Sequence, residues 1–271
     1  MNARAMSAII RKDLKVVIQN KNIVTPIIII FVVFFIGIPW LIGLAPAIIH
    51  GFGGQMTSLE GLLAKMPAGM LQELAGYTVS QKAIVFALGD MLMPFFLIIP
   101  LMTASMLAAD SFAGEKERKT LEALLYTPTT DRELFIAKML SGWLASIAVA
   151  LCALLIYAIN VNAAAWSQMQ RIFFPTTLWL VLVIWVVPAL SGLGVSLMVV
   201  VSARAQGFQD ANQMAGLVVL PIVVLFYAQM AGAIFINITI LVLIGLIIWL
   251  MTGVLIWLGS RTFHRNRLLA G

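Results

Sequence analysis

The chain has 271 residues, 62% hydrophobic and 10% charged, with a formal net charge of +6 and a mean hydropathy of +1.04. So little polar surface cannot cover a water-soluble globule of this length, so the solvent is a bilayer. The apolar runs are continuous and do not alternate, which excludes an outer-membrane type of β-barrel and predicts an all-α membrane protein with one transmembrane domain over 1–271.

Taken in chain order, residues 1–23 predict an amphipathic helix lying in the headgroup layer. Ile10, Leu14, Val17 and Ile18 share one face, while Arg11, Lys12 and Lys15 occupy the rest and reach lipid phosphates. Crossing a hydrocarbon core about 30 Å thick takes roughly 20 apolar residues, and six runs qualify: 24–49, 84–109, 138–160, 175–201, 214–235 and 239–259. The first is too long for a cleaved signal peptide and no A-x-A site follows it, so it is read as a retained span. The segment 50–83 forms the largest external loop. Its Leu59, Leu62, Leu63 and Met66, then Met70, Leu71 and Leu74, predict two short helices split by Pro67, too short for an independent domain. Pro94 and Pro100 in the second span, Pro188 with Gly192 and Gly194 in the fourth, and Pro221 in the fifth each weaken an internal hydrogen bond and predict kinks.

The only long charged passage is the loop 110–137. Gly114 precedes its short helix, Thr127 and Pro128 end it, and Leu121, Leu124 and Leu125 recur at helical spacing inside it. Glu115 and Lys119 stand four apart, acid first. Thr130-Asp131-Arg132-Glu133 then forms a T-x-x-E capping box that opens the third span. Of the seventeen Lys and Arg residues, all but Lys65, Lys82 and Arg171 lie with the termini, this loop and Arg204. By the positive-inside rule both termini and the loop are cytoplasmic. This topology accounts for the positive charge, and the basic residues are not interleaved with aromatics as a nucleic-acid groove requires, so no nucleic-acid partner is expected.

An amphipathic basic N-terminus, six spans and a loop reading E-K-E-R-x-T-L-E-x-L-L-x-x-P, followed by a capped helix and Lys138, resemble the type-2 ABC transporter permease family over essentially the whole chain. Ser202-Ala203-Arg204-Ala205-Gln206 with Asp210 and Gln213 resembles that family's second cytoplasmic loop, and the ending FHRNRLL resembles the tail of its sodium-efflux branch. The resemblance implies the permease subunit of an ATP-driven exporter in the plasma or inner membrane. It would pair with a second copy of itself or a homologous permease, each resting on a separate ATPase subunit. The helix holding Thr120, Leu121, Glu122, Leu124 and Leu125 would be the coupling helix. Its leucines would seat in an ATPase groove, with Glu115, Glu117, Arg118 and Glu122 as rim charges and Pro128 as its stop. Relatives carry drugs, peptides, lipids, glycolipids or sodium.

No G-x-x-x-x-G-K-[ST] occurs, so this chain is not expected to bind nucleotide; ATP and Mg would sit on the partner. No catalytic residue, metal site or cofactor of its own is expected. His50 and His264 fall on opposite sides of the membrane and cannot share a metal, and the lone Cys152, deep in the third span, is read as packing. Asp90 lies about two turns inside the second span, near enough to the external interface to reach water or Lys82. An intramembrane acid points to a substrate or ion role, and a G-x-G-D protease motif is excluded by Ala87. A gradient-driven carrier or membrane-embedded lipid-modifying enzyme is the alternative. Either needs ionisable groups clustered inside the spans, whereas here Asp90 stands nearly alone.

Overall fold

The computed structural model describes residues 21–49, 74–118, 131–202 and 208–262, with residue 72 and Ser7, Ala8, Ile10, Arg11, Lys12, Lys15 and Gln19 of the N-terminal segment. Among the described residues the regular structure is all helix, without a strand. Among the described residues, five helices are long and apolar enough to cross a membrane: Val24–Gly43, Val79–Gly114, Glu133–Ala164, Thr177–Ser202 and Ile238–Gly259. These are the first, second, third, fourth and sixth spans expected. The fifth is broken: Phe208–Leu217 ends at a turn, and an 11-residue helix, Leu220–Met230, follows. Pro221, in the first turn of that second piece, has no N–H to continue the hydrogen-bond ladder, so the helix restarts there. After Met230 the chain reverses through Gly232, whose φ of 68° suits glycine.

The second and fourth spans form the centre. Their apolar windows are 83% and 67% buried inside the protein, against 17% for the first and sixth. The outer spans instead expose Ile28, Ile29, Val32 and Val33, and Leu243, Ile247, Leu250 and Val254. On a soluble protein such stripes would be a liability; in a bilayer they are the lipid-facing wall. Cys152 is exposed on the third span, near Leu155 and Ile159, so it faces outward and does not fill the core as the sequence suggested. An unbranched position every fourth residue on a span's outer side carries no packing demand, and polarity alone does not reveal which side that is. Several methionines act as filler: Met93, Met106, Met169 and Met198 are all buried.

The expected kinks take the form of π turns. Three π-helical segments, Val32–Gly37, Val85–Met91 and Leu182–Val186, each end two or three residues before a proline: Pro39, Pro94 and Pro188. Proline cannot donate to the carbonyl four residues back and its ring crowds that carbonyl, so the preceding turn widens. The freed carbonyls include Phe35 O and Asp90 O. Each receives a side-chain amide from another span, Asn160 Nδ2 at 2.6 Å and Gln229 Nε2 at 3.0 Å. Pro100 lies within the unbroken helix Met93–Ala109.

Where the first and third spans meet, Gly43 lies so near Ala164 that a Cβ would sit 2.4 Å from the Ala164 carbonyl oxygen. The obstacle is backbone and cannot rotate away. Gly43→Ala is therefore expected to destabilise the protein by about 1–3 kcal/mol, read as a lower thermal midpoint in detergent; an unchanged midpoint would show that the spans do not touch there.

Candidate functional site

The second span ends in a π segment, Asp110–Gly114, and a last turn, Glu115–Glu117, directly before the charged loop. The third span returns from that loop at Asp131. Between these two ends lies a knot of charges. Lys138, on the first turns of the third span, is 1% exposed and Glu115 4%. Lys138 Nζ donates to Glu115 Oε2 and to the Ser111 carbonyl, and it sits 5.2 Å from the centre of the Phe112 ring. The other oxygen of Glu115, Oε1, takes Lys12 Nζ from the N-terminal segment, 103 residues away. Asp110, also buried, receives Arg118 Nη2 at 3.1 Å.

Each part has a local cause. A fully buried ammonium persists only when it is both paired and hydrogen-bonded. The π segment supplies the Ser111 carbonyl, and the next turn supplies the carboxylate. Gly114 sits between Asp110 and Arg118, eight residues apart. A Cβ there would lie 2.9 Å from Asp110 Oδ1 and 3.2 Å from Arg118 Nη2, so glycine lets this pair close over it without the two side-chain ends shifting. The knot thus joins three pieces of chain: the N-terminal segment, the end of the second span and the start of the third.

Of the residues the loop motif singled out, Glu115, Glu117 and Arg118 are described. Glu115 turns inward to its own bundle and Arg118 is engaged by Asp110, while Glu117 is exposed. Thr120, Leu121, Glu122, Leu124, Leu125 and Pro128 lie outside the described residues, as do Lys119, Arg204, Gln206 and the 263–269 tail; Asp210 is in the first turn of Phe208–Leu217, half-buried. Lys12, read from sequence as reaching lipid phosphates, instead reaches Glu115; Asp110 and Ser111 were missed, and Lys138 was noticed without a role. Spacing within one helix flags Asp110 and Arg118 in retrospect, through the intervening Gly114. Nothing local flags Lys12.

Asp90 lies at the opposite end of the second span and is buried, not at a wet rim. Here the widened turn offers three successive carbonyls, each taken by a different element. Tyr157 Oη of the third span donates to Leu88 O at 2.5 Å, Trp179 Nε1 of the fourth to Gly89 O at 2.5 Å, and Gln229 Nε2 of the fifth to Asp90 O. Phe35, Phe96, Tyr157, Phe174 and Trp179 pack ring to ring around these bonds, with centroids 4.8–5.7 Å apart. A separate cavity of about 250 Å³ opens between the third, fourth and sixth spans, walled by Phe135, Met139, Trp143, Val195, Trp249 and Ile256.

The described residues form a multi-pass helical bundle with a buried charge knot where a charged loop joins the second and third spans. The chain matches the family model described as ABC-2 family transporter protein over residues 7–245. It therefore belongs to the ABC-2 family and is a membrane component of an ABC transport system. A search of curated proteins finds no match.

Proposed function

We propose that this chain is the permease subunit of an ATP-driven exporter, working as a dimer with a second copy or a homologous permease and drawing energy from a separate ATPase subunit that binds ATP and Mg. Family membership supports the transport role. The observation that carries the coupling role is the buried Glu115–Lys138 pair at the root of the 119–130 loop. A load applied to that loop is delivered to the second and third spans together and, through Lys12, to the N-terminal segment. In this reading the loop's helix seats Leu121, Leu124 and Leu125 in an ATPase groove, bounded by Thr120, Glu122 and Pro128. Glu117 is the rim charge; Glu115 and Arg118 hold the helix root. Arg204, Gln206 and Asp210 belong to a second contact on the same side.

Reconstitution tests this reading: vesicles holding the permease and its ATPase should export cargo only with hydrolysable ATP. Export driven by an ion gradient alone would favour the gradient-carrier reading, to which the buried Asp90 lends itself. The proposed topology puts both termini in the cytoplasm and Gly51–Lys82 outside. Single cysteines at Thr57 and Thr262, in a Cys152→Ala background, are expected to label oppositely with an impermeant maleimide on intact cells, Thr57→Cys strongly and Thr262→Cys hardly at all. Equal labelling would sink the arrangement.

A further inference from the structure

The Lys12 ammonium ties the loop root to a segment with an excess of positive charge. Residues 1–23 hold Arg4, Arg11, Lys12, Lys15 and Lys21 against one acid, Asp13. The residues described there, Ser7, Ala8, Ile10, Arg11, Lys12, Lys15 and Gln19, are helical, and so is Lys21–Phe31, which enters the first span. At 3.6 residues per turn, Arg11, Lys12, Lys15 and Gln19 fall within about 100° of one another, with Ile10 on the far side. Burial follows that wheel: the four polar residues are exposed and Ile10 is half-buried. In sequence, Leu14, Val17 and Ile18 share the side of Ile10.

Within the stripe the three cations are placed differently. Lys12 stands at one edge, where its ammonium reaches Glu115 Oε1 while its side chain stays 45% exposed. Arg11 stands at the other edge, about 100° round, with Lys15 between them; both are exposed. A helix that presents basic side chains directly before a span lies level with lipid phosphates. Each such cation strengthens attachment to an anionic surface by about fivefold. A protein groove would instead ask for apolar anchors on the outward face. The exposed residues described there, Ser7, Ala8, Arg11, Lys12, Lys15 and Gln19, include no large apolar side chain.

We propose that anionic lipid regulates the loop root: Arg11 and Lys15 bind the phosphate groups of anionic phospholipids, and Lys12, from the edge of the same stripe, passes this attachment to Glu115. Phosphate held by Arg11 and Lys15 fixes the helix against the membrane surface. The helix in turn holds the Lys12 ammonium on the carboxylate that also binds Lys138. The grip on the loop root therefore rises with the anionic charge of the adjoining leaflet. Its consequence for coupling rests on the exporter reading; the attachment itself does not.

Nanodiscs holding the full chain in phosphatidylcholine, with or without phosphatidylglycerol, test this without ATPase or cargo, so its failure is separable from failure of the exporter reading. Phosphatidylglycerol should raise the thermal unfolding midpoint, and the gain should fade in about 1 M salt, where the screening length is about 3 Å. Arg11→Gln with Lys15→Gln should lose the gain and bind labelled phosphatidylglycerol roughly thirtyfold less tightly. Lys12→Met should keep most of the binding but not the gain in midpoint, and Lys12→Arg should restore the gain. No gain in the wild type, or an equal gain in Arg11→Gln with Lys15→Gln, would overturn the lipid site. A full gain in Lys12→Met would overturn the link to Glu115. Inorganic phosphate that reproduced the gain in phosphatidylcholine alone would give the stripe to a free anion, and unchanged lipid binding with lost ATPase co-purification would give it to a protein; either would overturn the proposal.

Discussion

Glu115→Gln is expected to be the most damaging single change at the loop root, worse than Lys138→Met, although both break the same pair. In Glu115→Gln the ammonium of Lys138 stays fully buried without its carboxylate, beside the Ser111 carbonyl and the Phe112 ring. Removing one partner of a buried pair costs about 3–5 kcal/mol, largely because the other charge is stranded. In Lys138→Met the carboxylate of Glu115 keeps Lys12, whose side chain is 45% exposed, so part of the compensation survives. The double variant, which removes both buried charges and nearly keeps their volume, should recover much of the loss, because no charge is left stranded in the interior. Thermal unfolding of the four proteins in detergent forms a complete double-mutant cycle. Strict additivity would mean that Glu115 and Lys138 are not coupled.

Leu121→Ala with Leu124→Ala is expected to abolish co-purification of the ATPase subunit. Truncating one apolar anchor at the centre of a docked helix typically costs about 2 kcal/mol or more, which is roughly a thirtyfold loss of affinity, and two anchors compound it. Glu117→Gln, an exposed change, should weaken the complex less. All three positions lie outside the spans, so insertion should be normal. A double variant that keeps its partner and its transport would remove the coupling assignment and return weight to a carrier or enzyme.

The spans were legible because burying backbone in lipid demands long, uninterrupted apolar helices. The second span was read too short. It runs on through Asp110 and Glu115, whose charges read as loop in the sequence but are neutralised in the structure by Arg118, Lys138 and Lys12. The fifth was read as one piece because hydropathy does not register that Pro221 restarts the ladder. The π turns were half legible: Pro94 and Pro188 predict broken bonds, but which amide fills the gap depends on the packing of Asn160 and Gln229 from distant spans. The same holds at the loop root, where the Lys12 partner of Glu115 lies 103 residues away and was invisible to any local pattern.

Between its two π segments the second span contains an uninterrupted α-helix, Met93–Ala109, with fifteen of its 17 residues buried. At 1.5 Å per residue it is a shaft of roughly 25 Å, gripped along its length by neighbours on all sides. Its compliant sections lie only at its ends, where one joint abuts the Lys138–Glu115 knot and the other carries the bond between Asp90 and Gln229. Pro100 removes one ladder hydrogen bond in its middle, but the packing around it leaves little room to bend there. In the proposed coupling, displacement that enters at the loop would leave at the far joint, which would make the two sites, nearly a bilayer apart, the ends of one linkage.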